Sequence, residues 1–194
     1  MGKILMKPSD LIYPQPVLLV GANVYDKPNF LTASWVGIAN GNPPMVSVAI
    51  RHNRYTLKGI KQNMTFSVNV PSTDTVKETD YCGLVSGSKV DKVEVCRFKV
   101  FYGKLVSAPL IEQCPVNLEC KVMHILDLGS HSLIIGKISG AHVSENCLTD
   151  GELDINKIKP LVFITGPTGQ YHALGELVAK AFSIGKELKV RGQK

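Results

Sequence analysis

Two long alternating stretches, 116–127 and 131–145, flank the segment Asp127-Leu128-Gly129-Ser130-His131, and a chain written this way is committed to an antiparallel hairpin. Asn117 to Val122 sets Leu118, Cys120 and Val122 on one face. Met45 to Ile50 repeats the pattern, with Val46, Val48 and Ile50 on one side and Met45, Ser47 and Ala49 on the other. Further strands are predicted near 17–24, 29–39, 65–70, 98–106 and 161–165. Only two short helices fit, over 55–63 and 73–82, the second opened by Ser72 or Thr73 and ended by Gly83. Many strands with turn signals and few helices predict a mainly β, closed antiparallel barrel instead of a doubly wound parallel sheet. No GxGxxG opens a helix, which argues against a Rossmann dinucleotide site.

At 194 residues, 44% of them hydrophobic and 20% charged, the chain is long enough for one globular core and short for two, so a single domain over 1–194 is expected. The longest apolar stretches, such as Val17 to Val20, fall far below the roughly 20 residues that cross a bilayer. Lys7, Pro8 and Asp10 interrupt the start before a signal-length apolar core forms. A cytoplasmic location is therefore expected, without membrane attachment. Five cysteines, none in a C-x-x-C pair, argue against a disulfide scaffold and against a zinc or iron–sulfur site. Cys120 and His124 lie four apart on a strand, about 13 Å, too far to share an ion.

The chemistry concentrates in Asn29 to Thr56. Thr32, Ala33 and Ser34 put small residues beside Trp35, the single tryptophan of the chain, so that a ligand could approach the backbone closely. After the strand at 45–51 come Arg51, His52, Asn53, Arg54, Tyr55 and Thr56, directly before a helix. A helix N-terminus, two guanidiniums and several hydroxyls or amides form an anion site suited to a phosphate. The plainer alternative leaves Arg51 and Arg54 as solvated charges and makes Asn53 or Thr56 a helix cap.

The order NFLTASW, NPPMVSVAI, RHNRYT, TFSVNVPS and DYCGLVSGSKVDK resembles the flavin reductase-like, FMN-binding split-barrel family, most closely its flavoredoxin branch. DLGSHSLIIGKI, CLTDGELDINKIKPLVF and YHALGELVAKAFSIGK extend the resemblance over nearly the whole chain. It implies a Greek-key split barrel, usually a homodimer with FMN near the subunit interface. On that basis Asn29, Thr32, Ala33, Ser34 and Trp35 are candidates for the ring and ribityl contacts, and Arg51, Asn53, Arg54, Tyr55 and Thr56 for the phosphate. Cys82 and Lys92 match segments that lie near the flavin in the family.

Several of these residues admit two readings. Trp35 either stacks near the ring or fills the barrel core, the core being favoured. Lys92 is either a flavin contact or a surface lysine. Cys82 is either a reactive thiol or, as preferred, a packing residue. His131, the candidate catalytic residue, ends Gly129-Ser130-His131, where reductases of the family carry Gly-Asp-His and use it toward nicotinamide. The missing carboxylate leaves its imidazole without an orienting partner, and a solvent-exposed hairpin histidine is the plain alternative. Phe163 and Tyr171 could approach a flavin across a dimer interface.

The resemblance implies an FMN-binding electron carrier in a low-potential pathway, and the net charge of +6 suits an acidic partner such as a ferredoxin. The alternative is an NAD(P)H-dependent flavin reductase that supplies reduced flavin. A nucleic-acid-binding barrel is disfavoured, because the basic residues are scattered and few aromatics interleave with them.

Overall fold

The computed structural model describes residues 2–166 and 169–188. In chain order its strands are β1 (Gln15–Pro16), β2 (Leu18–Val24), β3 (Lys27–Ala33), β4 (Val36–Gly41) and β5 (Pro44–Arg51). Helix α1 (Thr56–Asn63) leads to β6 (Thr65–Val70), then come α2 (Val76–Leu84), α3 (Lys92–Val95), β7 (Val100–Phe101) and β8 (Leu110–Ile111). The long hairpin β9 (Val116–Asp127) and β10 (His131–Val143) follows. Small elements finish the chain: β11 (Leu148–Thr149), β12 (Glu152–Leu153), α4 (Ile155–Ile158), β13 (Leu161–Ile164) and β14 (Gln170–Ala173).

Seven strands form one antiparallel sheet in the order β3-β2-β6-β9-β10-β5-β4. Its two edge strands, β3 and β4, are consecutive in the chain and joined only by Ser34 and Trp35, so the sheet curls until its edges approach. This is a split barrel. The expected single strand over 29–39 is therefore two strands, because the chain leaves one sheet edge at Ala33 and joins the other at Val36. The Trp35 carbonyl then accepts the Ala49 N–H of β5 at 2.9 Å.

Alternation works as the residues predict in β5, where Val46, Val48 and Ile50 are buried against Val20, Leu31, Phe66 and Ile134 in the barrel core. Each such large side chain contributes about 1.5–3 kcal/mol on burial. The Phe66 ring lies so close to Gly136 of β10 that a Cβ there would fall 2.4 Å from it. The ladder between β9 and β10 shifts register next to this glycine. A second cluster, Leu19, Phe30, Cys82, Phe98, Ile111 and Cys114, lies under α2 and α3.

Residues 98–106 were expected to be a strand, but only Val100 and Phe101 pair, with β8. The following loop is fixed by side chains instead of a ladder. Asn69 Oδ1 accepts the Ile111 N–H at 3.1 Å and Asn117 Nδ2 at 2.8 Å, and Glu119 accepts the Leu105 N–H at 2.6 Å. The Ser72 hydroxyl caps a turn of 3-10 helix at Thr73–Thr75, and α2 itself starts only at Val76, with no side-chain bond from Thr75 at its cap position. It runs through Gly83 to Leu84, where Gly83 serves close packing: a Cβ there would meet Thr32 at 3.3 Å.

Candidate functional site

The end of β5, the turn at Arg51–Arg54 that follows it and the crossing at Ser34–Trp35 converge on one cleft of about 490 Å³. Leu31 and Ile50 line it from the barrel, Thr32 and Ser34 from the crossing, Phe163 and Thr165 from the region of β13. Its aromatic wall is built by register. His131 stands opposite Arg51 across the β10–β5 ladder, and the Trp35 indole lies 4.6 Å from the His131 ring at an angle of 32°.

This placement corrects one expectation and decides between two readings of another residue. Trp35 does not fill the core, since it is 41% exposed and reaches into the cleft from a sheet edge. His131 is not a solvent-exposed hairpin residue; it is 9% exposed and begins β10. Its Nδ1 shares a 2.7 Å hydrogen bond with Ser130 Oγ, so the residue standing where a carboxylate was missed still orients the ring. Burial, with Arg51 and His52 nearby, lowers the His131 pKa from 6.5 and favours the neutral imidazole.

Beyond Leu31 and Arg54 the cleft narrows into a neck of about 140 Å³ lined by Asn29, Asn53, Tyr55, Thr56, Ser86, Gly87 and Lys92. Arg51 through Arg54 form a tight turn closed by Arg54 N–H to Arg51 O at 3.0 Å. Arg54 Nη1 donates to the Gly83 carbonyl at 2.9 Å, which aims its guanidinium at the neck. Neither Asn53 nor Thr56 caps α1, because Tyr55 occupies the cap position with no side-chain bond. The buried Thr56 hydroxyl instead accepts from Asn29 Nδ2 at 2.6 Å, a contact that joins β3 to α1. The Leu57 and Lys58 N–H groups already bond to the Arg54 and Tyr55 carbonyls, so an anion in the neck would rest chiefly on side chains.

Lys92 is no surface lysine. It is 3% exposed, and its Nζ donates to the carbonyls of Phe30 and Cys82, both at 2.8 Å. Burial lowers its pKa from 10.5. Thr32 spends its hydroxyl on the Thr79 carbonyl, and the Ala33 side chain faces the barrel core. Cys82 takes the packing role. Its side chain is fully buried, desolvation raises its pKa far above the ordinary thiol range, and only its carbonyl meets a site residue.

Gln15 and Asp10 also line the cleft, and neither stood out in the sequence. Gln15 is 6% exposed, and its Oε1 has no partner among the described residues. The signal for it was a polar residue held between Pro14 and Pro16. Phe163 reaches the cleft within the same chain, while Tyr171 packs on Phe163 and donates its hydroxyl to Asp80 at 2.9 Å. Ser86 and Gly87 are additional neck residues, readable as the small-polar run before Lys92.

An aromatic-walled cleft, a buried amide oxygen without a partner among the described residues and a neck holding Arg54 and Lys92 fit a planar heterocycle with a phosphorylated tail. Comparison with known proteins agrees. The chain is 43% identical to flavoredoxin from Methanosarcina acetivorans, with a TM-score of 0.93 over 97% of this chain and 100% of that one. Flavoredoxin of Desulfovibrio vulgaris (Miyazaki F) is 36% identical, with a TM-score of 0.87 over 95% and 100% of the two chains. A protein of Archaeoglobus fulgidus is 36% identical over 148 residues, covering 76% of this chain and 82% of its own. The model of the flavin reductase like domain matches residues 10–173, and the chain belongs to that family.

Proposed function

We propose that the chain is a flavoredoxin-like electron carrier that holds FMN with its ring in the Trp35–His131 cleft and its phosphate in the neck. The observation that supports this most directly is the passage from an aromatic-walled cleft into a narrow neck with Arg54 and Lys92 at its sides. Bound flavin would supply reversible electron transfer, while the protein supplies placement and local potential. Arg54 opposes the phosphate charge in the neck, Arg51 stands at the ring cleft instead, Lys92 adds a fixed cation, and Gln15 Oε1 offers an acceptor to a ring N–H. The Trp35 and His131 rings give the heterocycle an aromatic wall.

A net charge of +6 supports an acidic protein partner of the ferredoxin kind, met through electrostatic steering. Exposed apolar side chains run through the N-terminal arm, including Ile4, Leu5 and Ile12, and through the C-terminal segment, including Leu177, Val178 and Phe182. Packing of these arms on a second copy would make the protein a homodimer.

Absorbance of the purified protein, followed by anaerobic addition of NADH, NADPH or reduced ferredoxin, tests the reading. Bleaching of a bound flavin by ferredoxin alone is the expected result. A colourless protein that cannot be reconstituted with FMN would end it. One observation favours the second reading, a nicotinamide-dependent flavin reductase: the Ser130 hydroxyl shares a hydrogen bond with His131 Nδ1 and orients the ring. Rapid bleaching by NADH or NADPH would move the assignment there.

A further inference from the structure

A single hydrogen bond ties the wall of the ring cleft to the helix that holds the neck. Register sets Gln15 of β1 opposite Phe163 of β13, and Phe163 opposite Tyr171 of β14, so the three side chains form a row on one face of the small sheet. Gln15 and Phe163 line the ring cleft, and Tyr171 stands behind them. Its ring packs on Phe163 with centroids 5.6 Å apart, and its hydroxyl donates to Asp80 Oδ1 of α2 at 2.9 Å, across 91 residues of chain. Packing on Phe163 needs only the ring. The hydroxyl is spent on α2.

Asp80 lies just before Cys82 and Gly83, and the carbonyls of those two residues, at the C-terminal end of α2, hold the cations of the neck. Cys82 O accepts Lys92 Nζ at 2.8 Å, and Gly83 O accepts Arg54 Nη1 at 2.9 Å. Exposed carbonyls and the negative end of the dipole suit a helix C-terminus to that task. Where α2 ends therefore decides where both cations stand. The start of the helix is fastened to the small sheet separately, through Thr73 N–H to the Lys159 carbonyl at 2.9 Å and a bridge between Ser72 and Pro160. Without the Tyr171 bond the sheet would still be joined at that end, while the end that carries the cations would lose its tie to the row beside the ring. Burial and then the Asp80 bond push the Tyr171 hydroxyl up to about 12, so it stays a donor at neutral pH.

We propose that the Tyr171–Asp80 bond is a clasp that sets the spacing between ring cleft and neck, and that Tyr171 is a positioning residue for a ligand spanning both. The inference rests on the flavin reading above. FMN occupies both spaces and so responds to their separation, whereas riboflavin has no phosphate to place in the neck.

The test is fluorescence titration of the flavin-stripped full chain and its variants with FMN and with riboflavin, under conditions where urea denaturation shows each variant to be folded. Tyr171→Phe removes the hydroxyl and keeps the ring. The ratio of FMN affinity to riboflavin affinity is expected to fall about fivefold, the low end of ordinary coupling between two sites. General loosening of the fold would weaken both flavins alike and leave that ratio unmoved. Asp80→Ala should lower the ratio equally, and the double variant should fall no further than either single one. Asp80→Asn keeps an acceptor oxygen and should keep the ratio of the unaltered chain. An unchanged ratio in Tyr171→Phe, or losses that add in the double variant, would overturn the clasp while flavin binding stands. Failure of the unaltered chain to bind either flavin would remove the flavin reading and this inference with it.

Discussion

Two polar regions of this barrel are built from similar residues and end in opposite states. On the flank facing the 101–109 loop, Glu119 is buried and accepts from the Leu105 N–H at 2.6 Å and pairs with His142 Nε2 at 2.8 Å. Asn69 donates to the Leu19 carbonyl and accepts from Ile111 and Asn117. Every one of these groups is answered within the chain. In the cleft Gln15 Oε1 is buried without a partner among the described residues, and Arg54 and Lys92 face the neck, their acceptors among those residues being carbonyls. The difference separates structure from function, because a satisfied buried group stabilises a fold and an unsatisfied one costs free energy until a ligand supplies the missing bond.

The comparison breaks most visibly if the flank is disrupted. Glu119→Ala strips the Leu105 N–H and His142 of their acceptor, and we expect a loss of about 3 kcal/mol in urea denaturation. Flavin affinity measured well below the transition should hold, and a selective loss of flavin at full stability would mean that the two regions are coupled.

Next in size is the neck. Replacing Arg54 by Ala should weaken FMN roughly ten- to a hundredfold, with riboflavin nearly unaffected, since a charged hydrogen bond contributes about 1.5–3 kcal/mol. Equal loss of both ligands by fluorescence titration would place the phosphate elsewhere.

Gln15→Leu sharpens the contrast with a smaller effect of opposite signs. Removing an unpaired buried oxygen should stabilise the flavin-free chain by about 1 kcal/mol and weaken flavin binding by a similar amount. A destabilised apo chain would show that Gln15 is answered in solution.

The smallest effect is acid dependence at His131. Its folded pKa lies below the ordinary 6.5, so the unfolded chain binds more protons in that window. This contribution to stability is whole above pH 6.5 and is lost as pH falls through the folded value. A His131→Gln variant should lack that part of the slope of stability against pH.

Barrel and helices were legible wherever one residue type meets one periodic demand. Alternation in Met45–Ile50 and the turn at 127–131 are local signals, and the structure follows them. What local signals cannot carry is closure. Nothing between Phe30 and Ile38 shows that Ser34 and Trp35 bridge opposite edges of one sheet, and Trp35 was accordingly assigned to the core. Lys92 was ambiguous for the same reason, as its two carbonyl partners are 62 and 10 residues away. Gln15 was passed over because an orphaned atom exists only once its neighbours are in place. Cleft residues from the Asn29–Thr56 segment were found more readily, since small and basic residues cluster there in sequence as well as in space.

A lysine on the surface gives up roughly 2 kcal/mol of rotamer freedom when it grips an anion. Lys92 has surrendered that freedom on folding, with two of its three N–H bonds committed to Phe30 and Cys82. One donor remains, already immobilised before any ligand arrives. If the neck takes the phosphate as proposed, no ordering of this side chain is required on encounter, and the stiffness of a buried tether would lengthen the residence time of the ligand.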